Sequence, residues 1–314
     1  VRLVAHLSAV LAGLALGGCD LLREPAAPDA GDDGDAGYRE PVDDLVPPLG
    51  TDATLDVATW NIENLPKSDD TVALAADLIT SLRLDVVVVQ EVGSVAAWDE
   101  LVARLPHHAG LLSPHRYTAT SYQKIGVLYR EDVVTVPAGD GEMLFTTSSY
   151  AWPRPAWRVG IEVDGVTIDL IGVHLKAGTA DDDRARRRAA VRELDTFLRA
   201  QVDGGGEAEV IVLGDYNETL QAEAGGPDAI DDVLAPLLEA PERYRFRTAD
   251  VADEATFIPS GRVIDHVLTT DGLAARLGEQ AAVIPRLDAQ VPSYESRISD
   301  HLPVVLPVMR SVPQ

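Results

Sequence analysis

The chain reads as an α/β protein whose strands carry polar side chains to one end of a sheet. Three apolar runs, VVVV (86–89), IDLIGV (168–173) and VIVL (210–213), are too continuous for a half-exposed surface and mark strands buried on both faces. Between them lie segments whose apolar residues recur at helical spacing, among them Val72, Ala75, Ala76, Ile79 and Leu82. The third observation concerns where strands stop. WNIE (60–63), VQEV (89–92), GVHLKAG (172–178), LGDYNE (213–218), VIDHVL (263–268) and SDHLPV (299–304) each close on a residue able to handle phosphate or metal. One strand-end acid means little; six such deliveries along the chain point to a composite site.

The elements follow in order. Val4 to Gly18 is apolar apart from His6 and Ser8 and ends in Leu16-Gly17-Gly18-Cys19, where Cys19 is the only cysteine. This reads as a bacterial signal peptide, residues 1–18, presenting Cys19 for cleavage and lipidation. The competing reading is a core helix, but the segment is short for a bilayer span and no apolar partner follows it. Residues 19–53 are rich in Asp, Gly, Pro and Ala without hydrophobic period, the composition of a disordered acidic tether. A single cysteine allows no intramolecular disulfide, so the domain expected over 54–310 must rest on its core.

Within that domain TLDVATWNI (54–62) alternates as a strand does. Ser68 or Asp69 can cap the first helix. Leu84 to Gln90 is a buried strand, and Ala96 to Leu105 a helix closed by Pro106. IGVLYR (125–130) is the next strand, followed by a hairpin over 158–175 that turns at Asp164-Gly165. Asp182 to Val202 is an amphipathic helix with Ala190, Leu194, Phe197 and Leu198 facing inward. Its Arg184, Arg186, Arg187, Arg188 and Arg192 form either a nucleic-acid patch or a solvated face paired with Asp181 to Asp183. Residues 220–258 are the least regular, with a short helix near Ile230 to Leu238, and an insertion of this kind is where substrate preference is set.

The order N…QE…H…GDxN…D…SDH, above all GDYN and SDHLP, resembles the endonuclease/exonuclease/phosphatase superfamily of metal-dependent phosphodiesterases. That group includes pancreatic-type deoxyribonucleases, abasic-site endonucleases, neutral sphingomyelinases and inositol-polyphosphate phosphatases. The resemblance runs from about Leu55 to Pro307. It implies a four-layer sandwich, two mixed β-sheets face to face with helices outside and the site at one sheet end. It also implies a hard cation, Mg²⁺ with Mn²⁺ or Ca²⁺ as alternatives, held by oxygen ligands. Glu91 matches the metal-binding glutamate, Asn61 completes the site through its side-chain oxygen, and Asp300 is the third contributor. Asp215 orients or deprotonates the attacking water, and Asn217 holds a non-bridging oxygen. His174 and His301 bond phosphate oxygens, Asp265 pairs with His301, and Arg154 in WPRPAW contacts phosphate. Whether an Asp or a His is the general base stays open. One departure is that Gln123 stands where deoxyribonucleases of this type have an acid beside the first histidine.

Charge bears on the substrate. The chain carries a net −25, and beyond residue 50 there remain 23 bases against 42 acids. Nucleic-acid binders usually show a basic footprint. Either the substrate is not long DNA, or the acidity is a solvated surface with basic groups and metal confined to the cleft. The expected function is that of an exported, lipid-anchored, monomeric Mg²⁺-dependent phosphodiesterase, a nuclease of extracellular DNA, facing the periplasm or the cell surface. The rival enzymes are a sphingomyelinase-like lipid phosphodiesterase and a small-phosphoester phosphatase. The rival from another class is a surface binding protein on an inactive fold, against which the full set of site residues argues.

Overall fold

The computed structural model describes residues 41–137, 141–204, 209–221, 232–278 and 280–310; the expected signal peptide and Cys19 lie outside them. Two mixed sheets carry the fold. The first joins β1 (Thr54–Leu65), β2 (Val86–Val92), β3 (His108–Leu112), β4 (Lys124–Arg130) and a late strand (Val304–Met309). The second joins β5 (Glu142–Leu144), β6 (Ala156–Val163), β7 (Val166–His174), β8 (Val210–Asp215), β9 (Tyr244–Phe246) and β10 (Asp265–Thr270). With the late strand as β11, the orders are β11-β1-β2-β4-β3 and β5-β6-β7-β8-β10-β9. Only β1–β2 and β7–β8 are parallel. Each parallel pair is bridged by a helix, α1 (Thr71–Leu82) and α3 (Asp181–Val202), while α2 (Val95–Ala103) follows β2. This is the expected sandwich with helices outside.

The valine-rich strands fill the space between the sheets. Val57, Val86, Val88, Leu170, Ile211, Leu213 and Val267 belong to one buried cluster, while Trp60 turns to the other face of β1 and bonds Tyr294. A second cluster seats α3 on the outer face of the second sheet through Ala190, Val191, Leu194 and Leu198. Phe197 is only partly buried there, and Val191 takes a place the helical reading had not given it. The 158–175 hairpin turns where expected, with Asp164 at φ 51° and Gly165 at φ 78°.

Three expectations are corrected. The tether does not run to residue 53: Val46 is 3% exposed, and the chain is bonded to α1 from Val42 onward. Val42 N–H donates to Asp77 Oδ1 at 3.0 Å, and Gly50 N–H to Leu82 O at 2.9 Å. Composition hid this because one Val and two Leu suffice to dock an otherwise acidic segment. The α3 arginines do not pair with Asp181 to Asp183. Arg184 and Arg187 reach Glu218, and Arg188 reaches Asp232, because their face turns toward the next connection. Helix 235–238 is the only part of the 230–238 helix found among the described residues.

Candidate functional site

The ladders place three site residues on one rung. His174 stands opposite Asp215 in the parallel β7–β8 register, and Asp215 opposite Asp265 in the antiparallel β8–β10 register. Strand ends therefore meet here from both directions: β7 and β8 finish on His174 and Asp215, while β10 begins on Asp265. His301 and Asp300 likewise precede β11 rather than ending a strand. The reading that all six segments close strands holds for part of the set only.

The β8 end is sharply shaped. Gly214 has φ 151°, and a Cβ there would fall 1.9 Å from Val173 O, so only glycine lets β7 and β8 approach this closely. Asn217 N–H donates to Asp215 Oδ1 at 2.7 Å while Asn217 sits at φ 53°. This is an Asx-turn. A turn, not an extended strand, brings Asp215 and Asn217 together. Asn217 Nδ2 donates to Leu175 O at 3.3 Å, tying the turn to the end of β7.

Across the sandwich, bulges aim Asn61 and Glu91. The β1–β2 register breaks between Asn61 and Leu65, and the β2–β4 register between Val89 and Val92. Glu63, Asn64 and Glu91 all have positive φ, at 44°, 57° and 63°. Such conformations are costly for residues with a Cβ and gather at functional sites. Asn61 Nδ2 donates to Asp215 Oδ2 at 3.1 Å and to Glu91 Oε1 at 3.3 Å. Its oxygen accepts Glu63 N–H at 3.0 Å, so the expected metal-facing oxygen is instead turned into the β1 bulge. Asp300 contacts Glu63, whose Oε2 takes its N–H at 2.9 Å, and His301, whose Nε2 lies 3.8 Å away. It stands on that flank rather than against Glu91.

The two histidines hold different charge, His301 cationic and His174 neutral. His301 is almost buried, which disfavours imidazolium, but Asp265 Oδ2 at 2.8 Å from Nδ1, with Asp215 and Asp300 beyond, pushes its pKa up to about 10. His174 is buried without a bonded carboxylate, and burial with the charges of Arg154 and His301 holds its pKa well below the usual histidine range. Its Nε2 lies 3.6 Å from both Glu91 Oε1 and Asp215 Oδ2. Burial, then the neighbouring Asp265 charge, raises the pKa of Asp215.

Arg154 does not stand free for phosphate. Its Nε and Nη2 donate to His174 O and Leu175 O at 3.2 and 2.6 Å, and Nη1 to Gln123 Oε1 at 2.9 Å. Carbonyls left open at the end of β7 take the guanidinium, so it props His174 from behind. Gln123 in turn donates to Asn64 Oδ1 at 3.1 Å and makes no bond to His174.

Several residues escaped the sequence reading. Ser299 Oγ donates to Asn61 O at 2.7 Å and accepts His301 N–H at 2.9 Å, stitching β1 to the SDH segment. Tyr294 OH donates to His301 O at 2.7 Å and accepts Trp60 Nε1 at 3.1 Å. Arg187, 3% exposed, donates to Glu218 Oε2, Lys176 O and Gly178 O, and so fixes the loop after β7. Ser299 opens the SDHLP motif and Glu218 closes LGDYNE, so both lie within the quoted segments, yet the sequence assigns neither a role.

The donors fit a hard cation. Among the described residues Asp215, Asp265 and His301 have ligand-type atoms within 4.8 Å of one another, and with His301 held as imidazolium the two carboxylates are the ones able to ligate. Asp265 Oδ1 is buried without a hydrogen-bond partner, and Glu91 adds a further carboxylate on the facing sheet. An oxygen-rich set with an orphaned carboxylate oxygen suits Mg²⁺-like ions.

A sequence model of the Endonuclease/Exonuclease/phosphatase family matches residues 58–301. No curated protein sequence matches the chain. Among solved structures, an endonuclease/exonuclease/phosphatase from Bacteroides vulgatus is similar at TM-score 0.61 and 18% identity, covering 81% of this chain and 98% of the other. A Bacteroides thetaiotaomicron mannosyl-6-phosphatase gives 0.59 and 13%, covering 81% and 99%. D. rerio TDP2 complexed with single-strand DNA product gives 0.58 and 16%, covering 82% and 99%.

Proposed function

The chain belongs to the endonuclease/exonuclease/phosphatase family of phosphoester hydrolases, and from that premise we propose that it is an exported, lipid-anchored Mg²⁺-dependent phosphodiesterase acting as a nuclease on extracellular DNA. The observation that carries the chemistry is the shared rung of His174, Asp215 and Asp265 facing Asn61 and Glu91. Asp215 is the base: burial has raised its proton affinity above that of an ordinary carboxylate, which suits it to take a proton from water. His301, held cationic by Asp265, faces the charge that develops on the phosphoryl oxygens. Neutral His174 and the Asn217 amide supply further donors. Glu91 would hold the cation, with Mn²⁺ or Ca²⁺ as alternatives to Mg²⁺, while Asp300, the other expected carboxylate ligand, lies on the Glu63 flank. When bound, a divalent cation stabilises negative charge on the phosphate and orients the leaving oxygen. Export and anchoring rest on the segment ending in Cys19.

A second reading is a small-phosphoester phosphatase. It is favoured by a cavity of ≈390 Å³ beside Asn217, lined by Ala177, Phe257, Ser260 and Ile264, a volume within the range of single-ligand sites. The deciding experiment incubates residues 41–314 with supercoiled plasmid and Mg²⁺, with a chelator control and His301→Ala. Nicking that needs both metal and His301 supports the nuclease. A folded protein that never nicks but hydrolyses sugar phosphates supports the second reading.

A further inference from the structure

Residues 101–130 contain no Asp or Glu, in a chain with 51 acids among 314 residues. The segment runs from the end of α2 through β3 and β4, and its 113–123 loop joins those strands at the catalytic end. Of its four Arg and Lys residues, Arg104 is paired with Glu100, and Arg130 with Asp85 and Asp132. Arg116 and Lys124 make no ion pair among the described residues. Lys124 is 3% exposed, with Nζ 2.5 Å from Ser113 O and 5.3 Å from the Tyr122 ring centroid. Within the loop Arg116 thus carries a positive charge without an ion pair, with buried Lys124 beside it at the start of β4. On α3, Arg184, Arg187 and Arg188 are matched by Glu218 or Asp232, while Arg186 donates to Tyr150 O and lies over the Tyr150 ring.

The loop also carries an exposed aromatic ring at the site's edge. Tyr117 is 43% exposed. Its hydroxyl donates to Gln123 Oε1 at 3.3 Å, Gln123 Nε2 donates to Asn64 Oδ1 at 3.1 Å, and Asn64 N–H donates to Glu91 Oε2 at 3.2 Å. Three hydrogen bonds therefore connect the ring to the Glu91 carboxylate. The loop is closed on itself, with Tyr117 N–H and Thr118 N–H both bonded to Ser121 O. His115 packs edge-on against Tyr117 at 5.0 Å. An exposed ring held in place next to an unpaired cation is the arrangement that single-stranded nucleic acid uses, stacking bases on aromatics while phosphates meet cations.

We propose that the 113–123 loop is the strand-binding platform of this enzyme, with Tyr117 stacking on a base of a polynucleotide and Arg116 holding a neighbouring phosphate. This rests on the phosphodiesterase reading of the site and names its substrate class. Both residues are exposed and neither bonds a catalytic group directly, the Tyr117 hydroxyl ending on Gln123. The test compares the full chain with Tyr117→Ala and Arg116→Glu in two assays. The first is Mg²⁺-dependent hydrolysis of bis(4-nitrophenyl) phosphate, a diester too small to reach the loop. The second is fluorescence anisotropy of a labelled single-stranded oligonucleotide, run in an Asp215→Asn background so that no cleavage interferes. The expected result is unchanged hydrolysis of the small diester and oligonucleotide affinity lower by roughly 5- to 100-fold in each variant. Arg116→Glu should also flatten the salt dependence of binding by about one unit of slope or more. Oligonucleotide binding that is absent, or equal in all three proteins, overturns the platform. Loss of small-diester turnover in the wild-type chain would instead sink the phosphodiesterase reading, while loop-dependent binding would still stand on its own.

Discussion

His174 and His301 share the carboxylate of Asp215 as a neighbour, yet His301 is held cationic and His174 neutral, and the main difference is the Asp265 carboxylate bonded to His301. Asp265 grips His301 Nδ1, whereas Gln123, aligned with an acidic position, offers His174 nothing. The acid–base roles are thereby separated without any difference in residue type. The sign of the pH effect follows. A raised histidine pKa keeps imidazolium up to about pH 10, so activity that needs this charge falls as pH rises through that value. Asp265→Asn removes the charge that offsets burial. Its kcat should fall by roughly 10²-fold, and its alkaline limb should move toward neutral pH. A kcat/KM–pH profile with an unmoved alkaline limb would contradict this role. At this scale the sequence was legible wherever a motif names a residue, as in GDYN and SDH. It misled where the partner decides: Arg154 is claimed by two carbonyls, and the Asn61 oxygen by a bulge.

Among the elements, the connection between β7 and α3 shows how a helix can serve a site it does not line. Arg187 projects from the first turns of α3 and grips Glu218, just past the Asx-turn, together with two carbonyls of the 176–178 loop. Both partners are buried, so breaking the pair leaves a charge without its counterpart. Glu218→Ala should cost about 3–5 kcal/mol of stability and loosen Asn217, read by chemical denaturation and by a raised KM. A variant as stable as the wild type would show the pair to be dispensable. The arginine run on α3 was visible in sequence, but its partners lie thirty to forty-five residues away and no local pattern reveals them. Strands β3, β5 and β9 also went unread. β3 and β5 are short and largely half-exposed and take their strand character from neighbours, while β9 alternates buried and exposed over only three residues, too few to read as a strand. The long buried strands were legible because burial on both faces leaves an unbroken apolar run.

For the whole molecule, charge and chain economy decide what the composition alone left open. A net −25 coexists with a thirty-residue stretch lacking any acid, so the average conceals a local field beside the site. The domain also begins earlier than composition suggests. A chain starting at residue 54 would lose Val46 from the core and the main-chain bonds from 42–50 to α1. It should melt several degrees below one starting at 41, roughly 2–4 °C per kcal/mol lost for a domain of this size. Equal melting temperatures by circular dichroism would mean that the segment merely lies on the surface.

Asn61 and Glu91 from one sheet meet His174, Asp215 and Asp265 from the other in one site. Its most direct test is the rate of bis(4-nitrophenyl) phosphate hydrolysis against Mg²⁺ concentration, for the wild-type chain and for Glu91→Ala at matched melting temperature. Saturable, chelator-sensitive turnover is expected in the wild type and none above background in Glu91→Ala. A stable Glu91→Ala protein that turns over at the wild-type rate would contradict that expectation.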